Sequence, residues 1–255
     1  MFGDLQITIP SRSRAKRKDK TIFNLSEKLW PNITMIVPTH QFYEYRWAIP
    51  SEIKVLECYA ENIGETRQFM LHLRSSGKII MMDDDLTFYQ RDESGARFFR
   101  MPTYGTEEMI KQIVDNLDHY VIVGLADKFM SQHLPRKYKE CSRFNDLHGY
   151  NRDLFPQPWP EFRLKHGEEH DFQLQCLTRG YKTLVMTEYS KVNRTYAAGG
   201  CSDYRTKEFM MHELERLAEL WPGLVSLTPD PEHKQGYRFR YNWKEAARRG
   251  GIDCG

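Results

Sequence analysis

Long apolar runs, low-complexity tracts and several common catalytic motifs are missing from this 255-residue chain. No apolar stretch approaches the roughly 18–20 residues that a membrane-spanning helix needs, so we expect no membrane partner. Residues 1–10 lack the apolar core of a signal peptide, and we expect a cytoplasmic protein. The aromatic content of 13% and the absence of low-complexity sequence exclude disordered and fibrous classes.

Cysteine is scarce, and its spacing indicates neither a disulfide framework nor a zinc site. No two of the five cysteines form a CxxC pair, so they are interpreted as reduced thiols of a cytosolic protein. They are Cys58, Cys141, Cys176, Cys201 and Cys254. The P-loop, GxGxxG, HExxH and GxSxG motifs are also missing, which argues against ATPase, dehydrogenase, zinc hydrolase and serine esterase chemistry.

The charge is balanced in total but uneven along the chain, with 37 Lys and Arg against 35 Asp and Glu. One basic cluster occupies residues 12–20 and a second occupies residues 234–249. Two basic clusters in a nearly neutral chain permit a polyanionic partner.

Alternating strand and helix patterns indicate the fold class. Apolar or alternating segments cut off by Pro or by charge predict strands, and apolar residues at helical spacing predict helices between them. Strands are predicted at 5–9, 33–37, 54–59, 78–82, 121–123 and 184–186, with helices at 39–48, 64–76, 106–119, 170–179 and 208–220. A hairpin is predicted from 86–91 and 97–101. This alternation favours a single α/β domain over 1–255, with a mainly parallel sheet covered on both faces.

Three consecutive aspartates, Asp83, Asp84 and Asp85, follow the predicted strand at 78–82 directly. Three adjacent carboxylates repel one another unless a cation neutralises them. Ligands of open α/β sheets bind at the carboxyl ends of strands. The motif therefore predicts a divalent-metal site, with a solvated acidic turn as the alternative.

Three further segments carry polar groups suited to a site. The acidic helix start at 167–171 contains Glu169 and Asp171, which the helix dipole alone favours but which can also serve as a general base. The Pro-Ser-Arg-Ser-Arg loop at 10–14 follows the first strand and can bind a nucleotide, with an ordinary surface loop as the alternative. The paired glycines within 196–205 let the backbone approach a phosphate, or belong to a plain loop.

The segment at 237–244 interleaves cations with aromatic residues. Such a composition suits pairing with DNA phosphates and stacking on bases. A strand that packs its aromatic side chains inward and leaves its arginines outside has the same pattern. Both interpretations are open from the sequence.

The order of these motifs resembles the GT-A nucleotide-sugar glycosyltransferases. More narrowly, it is similar to the phage and TET-associated glycosyltransferases that decorate 5-hydroxymethylpyrimidines in DNA. The segments at 9–14, 82–86, 167–173 and 180–183 carry the likeness, which spans about residues 5–205. The resemblance implies a GT-A-like (Rossmann-like) mixed, mainly parallel sheet with helices on both faces. It also implies a nucleotide-binding half at about 1–90 and an acceptor-binding half at about 91–255.

The resemblance implies a role for each matching residue. Asp83 and Asp85 take the DxD places that hold Mn²⁺ or Mg²⁺. Glu169 takes the place of the base in inverting members; because the usual residue there is Asp, Asp171 competes for the role and a retaining mechanism stays open. The donor nucleotide is expected to contact Pro10, Ser11, Arg12, Arg14, Thr66, Arg67, Asp83, Asp84, Gly199, Gly200 and Arg205. The acceptor is expected near His148, Trp159, Arg238 and Arg240.

We therefore expect a metal-dependent hexosyl- or pentosyltransferase that moves a sugar from a UDP-sugar to 5-hydroxymethylcytosine or 5-hydroxymethyluracil in DNA. The modified base would have to leave the duplex stack for the transfer. If the gene belongs to a phage, the enzyme acts in the host cytoplasm. The alternatives are a glycosyltransferase for a protein or glycan acceptor, a nucleotidyltransferase, and a non-catalytic DNA-binding module.

Overall fold

The computed structural model describes residues 2–74, 76–95, 97–134, 137–155, 157–193, 199–200, 205–230 and 237–254. Within these residues a ten-stranded sheet runs through the molecule and a two-stranded hairpin lies near the C-terminus. The ten strands are β1 (Gln6–Pro10), β2 (Ile33–Pro38), β3 (Lys54–Cys58), β4 (Lys78–Met82), β5 (Thr87–Arg91), β6 (Phe98–Arg100), β7 (Ile122–Asp127), β8 (Tyr138–Glu140), β9 (Leu147–Asn151) and β10 (Thr183–Val192). The hairpin consists of β11 (Val225–Pro229) and β12 (Tyr237–Tyr241).

The sheet is mixed and mainly parallel, as predicted. Its strand order is β3-β2-β1-β4-β9-β7-β10-β5-β6, with β8 paired to β10. Strands β3, β2, β1 and β4 run parallel, and β7 and β10 continue in the same direction beyond the antiparallel β9. The carboxyl ends of six strands therefore meet along one edge of the sheet. A ligand site is expected at that edge.

Helices cover both faces of the sheet. They are α1 (Phe42–Ala48), α2 (Ile63–His72), α3 (Thr106–Asn116), α4 (Lys128–Ser131), α5 (Glu168–Leu177), α6 (Lys207–Leu220) and α7 (Trp243–Arg249). Helix α3 packs Met109, Ile110 and Ile113 into one core cluster on the first face. Helices α2 and α5 contribute Met70 and Phe172 to a second cluster on the opposite face. Successive side chains along a strand point to opposite faces, so alternate strand residues belong to one cluster or to the other.

All the strands predicted from the sequence are present, and the predicted hairpin is confirmed as the antiparallel pair β5–β6. The predicted helix at 39–48 begins as a 3₁₀ turn at Thr39–Gln41 before α1. Strand β10 continues to Val192, well beyond the apolar stretch that predicted it. The strands β8, β9 and β11 and the helices α4 and α7 were not predicted from the sequence.

The cation–aromatic segment near the C-terminus is the strand β12, with its rings turned inward. Tyr237 is buried, and Phe239 and Tyr241 pack against a third cluster that α6 and α7 complete. Arg240 is exposed, and Arg238 lies on the same outer side, paired with Asp230. The rings are therefore core residues and do not form a stacking platform for bases.

The interpretation of all five cysteines as reduced thiols is wrong for two of them. Cys141 and Cys254 form a disulfide, and their Cα atoms are 6.1 Å apart. The bond joins the segment after β8 to the segment after α7 across 113 residues of sequence. Sequence spacing gave no sign of it, because the topology alone brings the two residues together. Cys58 and Cys176 are buried free thiols, while Cys201 lies outside the described residues.

No helix in the described part of the chain is long and apolar enough to cross a membrane.

Gly64, at the start of α2, lies where any side chain would collide with a neighbouring backbone. A Cβ built on Gly64 would be 2.1 Å from the carbonyl oxygen of Leu164. We expect Gly64→Ala to destabilise the protein by about 1–3 kcal/mol, because the backbone must shift to relieve the overlap. The free energy of unfolding in urea measures this effect. Gly3→Ala is the control, since nothing lies within 4 Å of a Cβ at Gly3; equal stability of the two variants would contradict the prediction.

Candidate active site

A cavity of about 500 Å³ opens at the carboxyl ends of β1, β2 and β4. Residues from the sequence motifs in both halves of the chain line this cavity. The residues predicted for the donor, the metal and the base that line it are Pro10, Ser11, Arg12, Arg14, Thr66, Arg67, Asp83, Asp84, Asp85, Glu169, Gly199, Gly200 and Arg205. Asp171 and the four predicted acceptor residues do not line it.

The loop after β1 is tied to the aspartates after β4, because the two strands are neighbours in the sheet. The Ser11 hydroxyl donates to Asp84 and lies 2.7 Å from the hydroxyl of Tyr45. Arg14 pairs with Asp84, and its Nη1 is 3.1 Å from Asp85 Oδ2. The pairing explains why Arg14 is only slightly exposed despite its charge.

Backbone hydrogen bonds fix the aspartate turn. The amide of Asp83 donates to the carbonyl of Asp146 at 2.8 Å, and the hydroxyl of Thr21 donates to the carbonyl of Asp83 at 2.6 Å. The Thr21 amide donates to the Asp84 carbonyl at 2.8 Å. The 3₁₀ turn at Thr21–Asn24 thus holds the turn from outside the sheet, and the carboxylates stay in one orientation toward the cavity.

Arg67 lies in the floor of the cavity and pairs with three carboxylates. It is 2% exposed and lies on α2, whose first turn is capped by the side chain of Asn62. Its Nη2 is 2.9 Å from Asp83 Oδ1 and 2.5 Å from Glu169 Oε1, and its Nε is 3.1 Å from Glu168 Oε1. A single guanidinium therefore bridges the acidic motif after β4 and the acidic motif at the start of α5.

Burial, together with repulsion between neighbouring carboxylates, raises the pKa values of three acidic residues in the cavity. Burial raises the pKa of Asp83 to about 7; Arg67 opposes the shift, and the charges of Asp146 and Asp85 add to it. Burial and the charge of Asp84 raise the pKa of Asp85 to about 6 against the effect of Arg14. Burial also raises the pKa of Glu169 well above its ordinary value. The cavity therefore favours additional positive charge.

The same carboxylates fit a divalent cation. Asp83 and Asp85 offer the hard oxygen ligands that Mg²⁺ and Mn²⁺ prefer, and Mg²⁺ is commonly held by one or two carboxylates together with substrate phosphates. Within the described residues no group of three or more His, Cys, Asp or Glu side chains is arranged to hold a metal by itself. Two carboxylates alone leave most coordination positions of such an ion to other oxygen ligands.

Asp146 is a cavity residue that sequence analysis missed. It precedes β9 with a positive φ of 62° and pairs with the buried Lys191. Asn193 Nδ2 donates to its Oδ2 at 2.9 Å, and its own amide donates to Glu169 Oε1 at 3.1 Å. Asp146 thus orients the Glu169 carboxylate. No local motif marks it, because only the antiparallel insertion of β9 beside β4 brings it to the site.

Asp171, the competing catalytic candidate, is fully buried away from the cavity. Trp221 Nε1 donates to its Oδ1 at 2.7 Å, and Arg163 Nη2 is 2.5 Å from the same oxygen. Gln175 Nε2 donates to its Oδ2 at 3.0 Å. Helical periodicity turns Asp171 about 160–200° from Glu169, because residues two apart do not share a face. Its contacts stabilise the packing of α5.

The predicted acceptor residues are separated from one another. His148 is 1% exposed, and its Nδ1 is 3.6 Å from Glu169 Oε1, so it lies behind the candidate base. Burial holds the pKa of His148 well below its ordinary value. Trp159 stacks against Arg152, whose guanidinium is 4.0 Å from the ring centroid. Arg238 and Arg240 are on β12, and none of the four residues lines the cavity.

The paired glycines approach the loop after β1. Both have positive φ, at 84° for Gly199 and 68° for Gly200. The amide of Gly200 donates to the carbonyl of Arg12 at 2.8 Å, and Arg14 Nη2 donates to the Gly199 carbonyl at 3.2 Å. A Cβ on Gly199 would be 3.0 Å from the carbonyl oxygen of Ser13, so only glycine fits. The other residues of the predicted loop, at 196–198 and 201–204, lie outside the described residues.

The strand order and the acidic turn after β4 define a GT-A-like fold. A solved structure of S. aureus TarS 1-349 in complex with UDP-GlcNAc superposes with a TM-score of 0.53 at 13% identity, covering 84% of this chain and 65% of the TarS chain. The structure of the same TarS segment in complex with UDP gives a TM-score of 0.47 at 13% identity, with 84% and 70% coverage. This chain thus spans 65% of the length of the first TarS chain.

The TET-associated glycosyltransferase family model matches residues 5–200. The chain belongs to that family of glycosyltransferases, as the motif resemblance indicated. No curated protein matches the chain.

Proposed function

We propose that this chain transfers a sugar from a UDP-sugar to the hydroxymethyl group of a 5-hydroxymethylpyrimidine in DNA. The observation that carries the proposal is the convergence in one cavity of the loop at 10–14, the aspartates at 83–85 and Glu169. The UDP-GlcNAc in the TarS structure of the same fold supports a UDP-sugar donor. The family's association with TET proteins supports a hydroxymethylated base as the acceptor.

The donor occupies the side of the cavity formed by β1 and α2. Ser11, Arg12 and Thr66 hold the nucleoside, and Arg14 and Arg67 face its diphosphate. Arg67 Nη1 is buried and has no hydrogen-bond partner among the described residues, which leaves one donor for a phosphate oxygen. The first turn of α2 is the positive end of that helix's dipole, which also favours an anion such as the diphosphate. In this proposal, residues from about 1 to 90 form the donor half and later residues form the acceptor half.

Asp83 and Asp85 would hold the Mn²⁺ or Mg²⁺ ion. A bound divalent ion would offset the charge on the departing diphosphate. The role of the chain itself is to orient these two carboxylates, through the Thr21 hydroxyl, the Asp146 carbonyl and the Arg14 and Arg67 ion pairs.

Glu169 acts as the general base. Its carboxylate accepts the proton of the acceptor hydroxyl while that oxygen bonds to the anomeric carbon of the sugar and the bond from that carbon to the diphosphate oxygen breaks, releasing UDP. The amide of Asp146 and the guanidinium of Arg67 fix the carboxylate in place. A general base at this place corresponds to direct transfer with inversion, whereas a retaining mechanism needs no such base.

Asp85→Asn tests the donor site. We expect the variant to lose about 10²–10³-fold in the rate of UDP release in the presence of Mn²⁺ and hydroxymethylated DNA, because the neutral amide is a weaker ligand than the carboxylate for the ion that would offset the diphosphate charge. The measurement is UDP release with UDP-glucose and UDP-GlcNAc as donors. Asp115→Asn is the control, since Asp115 is an exposed carboxylate on α3 that pairs with Lys111. Equal rates for the two folded variants would refute the donor site.

A further inference from the structure

A cationic and aromatic surface, separate from the cavity, lies between β7 and β8. From residue 128 to residue 139 the sequence contains no Asp or Glu, in a chain that is 28% charged and nearly balanced. Lys137 is exposed, Phe129 is 76% exposed, and the segment also carries Lys128 and Lys139. We call the described side chains of this segment, together with Tyr89, the 128–139 surface.

The acidic residues that flank the 128–139 surface in sequence do not pair with its lysines. The two acidic residues that flank the segment have other partners: Asp127 pairs with Lys191 at 2.6 Å, and Glu140 pairs with Lys182 at 3.0 Å. In the part of the chain that the structure describes, no carboxylate forms an ion pair with Lys137 or Lys139. The lysines are therefore available to an external anion.

The fold holds this surface firmly. Buried Arg91 of β5 donates to the carbonyl of Ser131, and its Nε donates to the carbonyl of Thr187 at 2.7 Å. The Thr187 amide in turn donates to the carbonyl of Lys137 at 2.8 Å. A buried arginine and a backbone hydrogen bond to β10 thus anchor the described backbone at Ser131 and at Lys137.

Lys128, Tyr89 and Lys139 lie toward one face of the sheet. The ammonium of Lys128 is 4.1 Å from the centroid of the Tyr89 ring. Tyr89 follows Phe88, which belongs to the first core cluster, so Tyr89 points to the opposite face. Lys139 is paired with Val185, a member of the second cluster, and therefore lies on that same opposite face.

This surface adjoins the acceptor side of the cavity. Lys128 follows Asp127, whose carboxylate is 2.6 Å from Lys191 Nζ. The same ammonium pairs with the cavity residue Asp146 and is 3.2 Å from Oδ1 of the cavity residue Asn145. The buried Lys191 therefore contacts both Asp127, the residue before the 128–139 surface, and Asp146, the cavity residue that orients Glu169.

We propose that the 128–139 surface binds the DNA duplex that carries the acceptor base, an inference that rests on the proposed function. Lys128, Lys137 and Lys139 pair with backbone phosphates, which dominate affinity for DNA. The exposed Phe129 ring stacks on a base exposed when the acceptor nucleotide leaves the duplex. The surface positions the duplex so that the extruded base enters the cavity beside Glu169.

The test replaces the three lysines together, as Lys128→Gln, Lys137→Gln and Lys139→Gln. We expect the Kd for a duplex containing one 5-hydroxymethylcytosine to rise about tenfold or more, and the slope of log K against log salt to fall by about one for each lysine. Fluorescence anisotropy over a salt series measures both. The rate with free 5-hydroxymethyl-2′-deoxycytidine stays at the wild-type value. The charge-matched control carries Lys28→Gln, Lys111→Gln and Lys244→Gln.

A single variant tests the aromatic contact. Phe129→Ala is expected to lower sugar transfer to duplex DNA by about tenfold, because base stacking on an aromatic ring contributes substantially to binding. Transfer to the free nucleoside does not change. Because Phe129 is largely exposed, the thermal midpoint measured by circular dichroism should match that of wild type. An equal loss with duplex and with free nucleoside would overturn the stacking contact.

The outcomes separate this inference from the proposed function. Wild-type protein that binds duplex through these lysines but transfers no sugar would overturn the proposed function and leave the DNA surface in place. Unchanged duplex affinity of the triple variant, or an equal loss in the control, would overturn the surface. So would a triple variant that loses affinity only for vesicles of anionic phospholipid, which would assign the surface to a membrane.

Discussion

Glu169→Gln is expected to lower kcat for sugar transfer by about 10²–10⁴-fold, the range for removal of a general base. The amide keeps the shape of the side chain, but it cannot accept the proton of the acceptor hydroxyl. The fold should survive, because the substitution removes one of three carboxylates around Arg67 and two ion pairs of that arginine persist. Steady-state kinetics with saturating UDP-sugar measures the effect.

Asp171→Asn is the informative comparison for Glu169. Its carboxylate binds Arg163 and Trp221 inside the protein, so we expect this variant to lose stability while its folded fraction keeps its kcat. A loss of kcat in Asp171→Asn together with full activity in Glu169→Gln would show that Glu169 is not the base. Activity of Glu169→Gln within about tenfold of wild type would indicate a retaining mechanism, which needs no such base.

Arg67→Met is expected to lower the free energy of unfolding by about 3–5 kcal/mol. The apolar side chain fills a similar volume, but it leaves Asp83, Glu168 and Glu169 crowded together with no cation among them. Removing one partner of a buried ionic cluster costs more than the cluster itself contributes, because uncompensated charge remains buried. Urea unfolding followed by circular dichroism measures the change.

The control for Arg67 is Arg46→Met on α1. Arg46 is exposed, so its replacement should change the free energy of unfolding by no more than about 0.5 kcal/mol. The double variant Arg67→Met with Glu168→Gln should recover part of the loss, since one repelling carboxylate is neutralised. A stable Arg67→Met protein with an unaltered donor affinity would contradict the role of Arg67 in neutralising the three carboxylates and binding the donor.

The sequence allowed the donor side of the cavity to be predicted because its residues lie in local motifs. Asp83–Asp85 follow an apolar strand, and Ser11 and Arg14 follow another. In a parallel sheet, neighbouring strand ends fall at the same edge, so the motifs meet as expected. Arg67 was predicted as a donor contact, but its bridging of Asp83 to Glu169 depends on the packing of α2 against α5.

The acceptor side could not be predicted in the same way. Strand β9 carries His148, Gly149 and Asn151, so it has neither an apolar run nor a clean alternation, although all its residues are buried. A Cβ on Gly149 would be 2.8 Å from Ile113, which shows that close packing of α3 selects glycine there. Without β9, neither Asp146 nor the buried place of His148 could be inferred.

The C-terminal segment shows the limit of composition as evidence. Phe239 and Arg240 are equally compatible with a DNA-binding surface and with a half-buried strand. Only the third core cluster, into which Phe239 packs, decides between the two. The sequence analysis did not predict the 128–139 surface, because only the fold places Lys128 over Tyr89 and Lys139 on the same face of the sheet.

The most direct test of the account is the product on DNA. The protein is incubated with Mn²⁺, UDP-glucose or UDP-GlcNAc, and DNA containing 5-hydroxymethylcytosine or 5-hydroxymethyluracil, and the DNA is then digested to nucleosides for mass spectrometry. We expect one hydroxymethylated nucleoside to gain the mass of one sugar residue, and we expect the Asp85→Asn protein to form this product about 10²–10³-fold more slowly. An unmodified nucleoside with every donor, from protein that transfers the sugar to a protein or glycan acceptor and releases UDP, would contradict the proposed DNA acceptor.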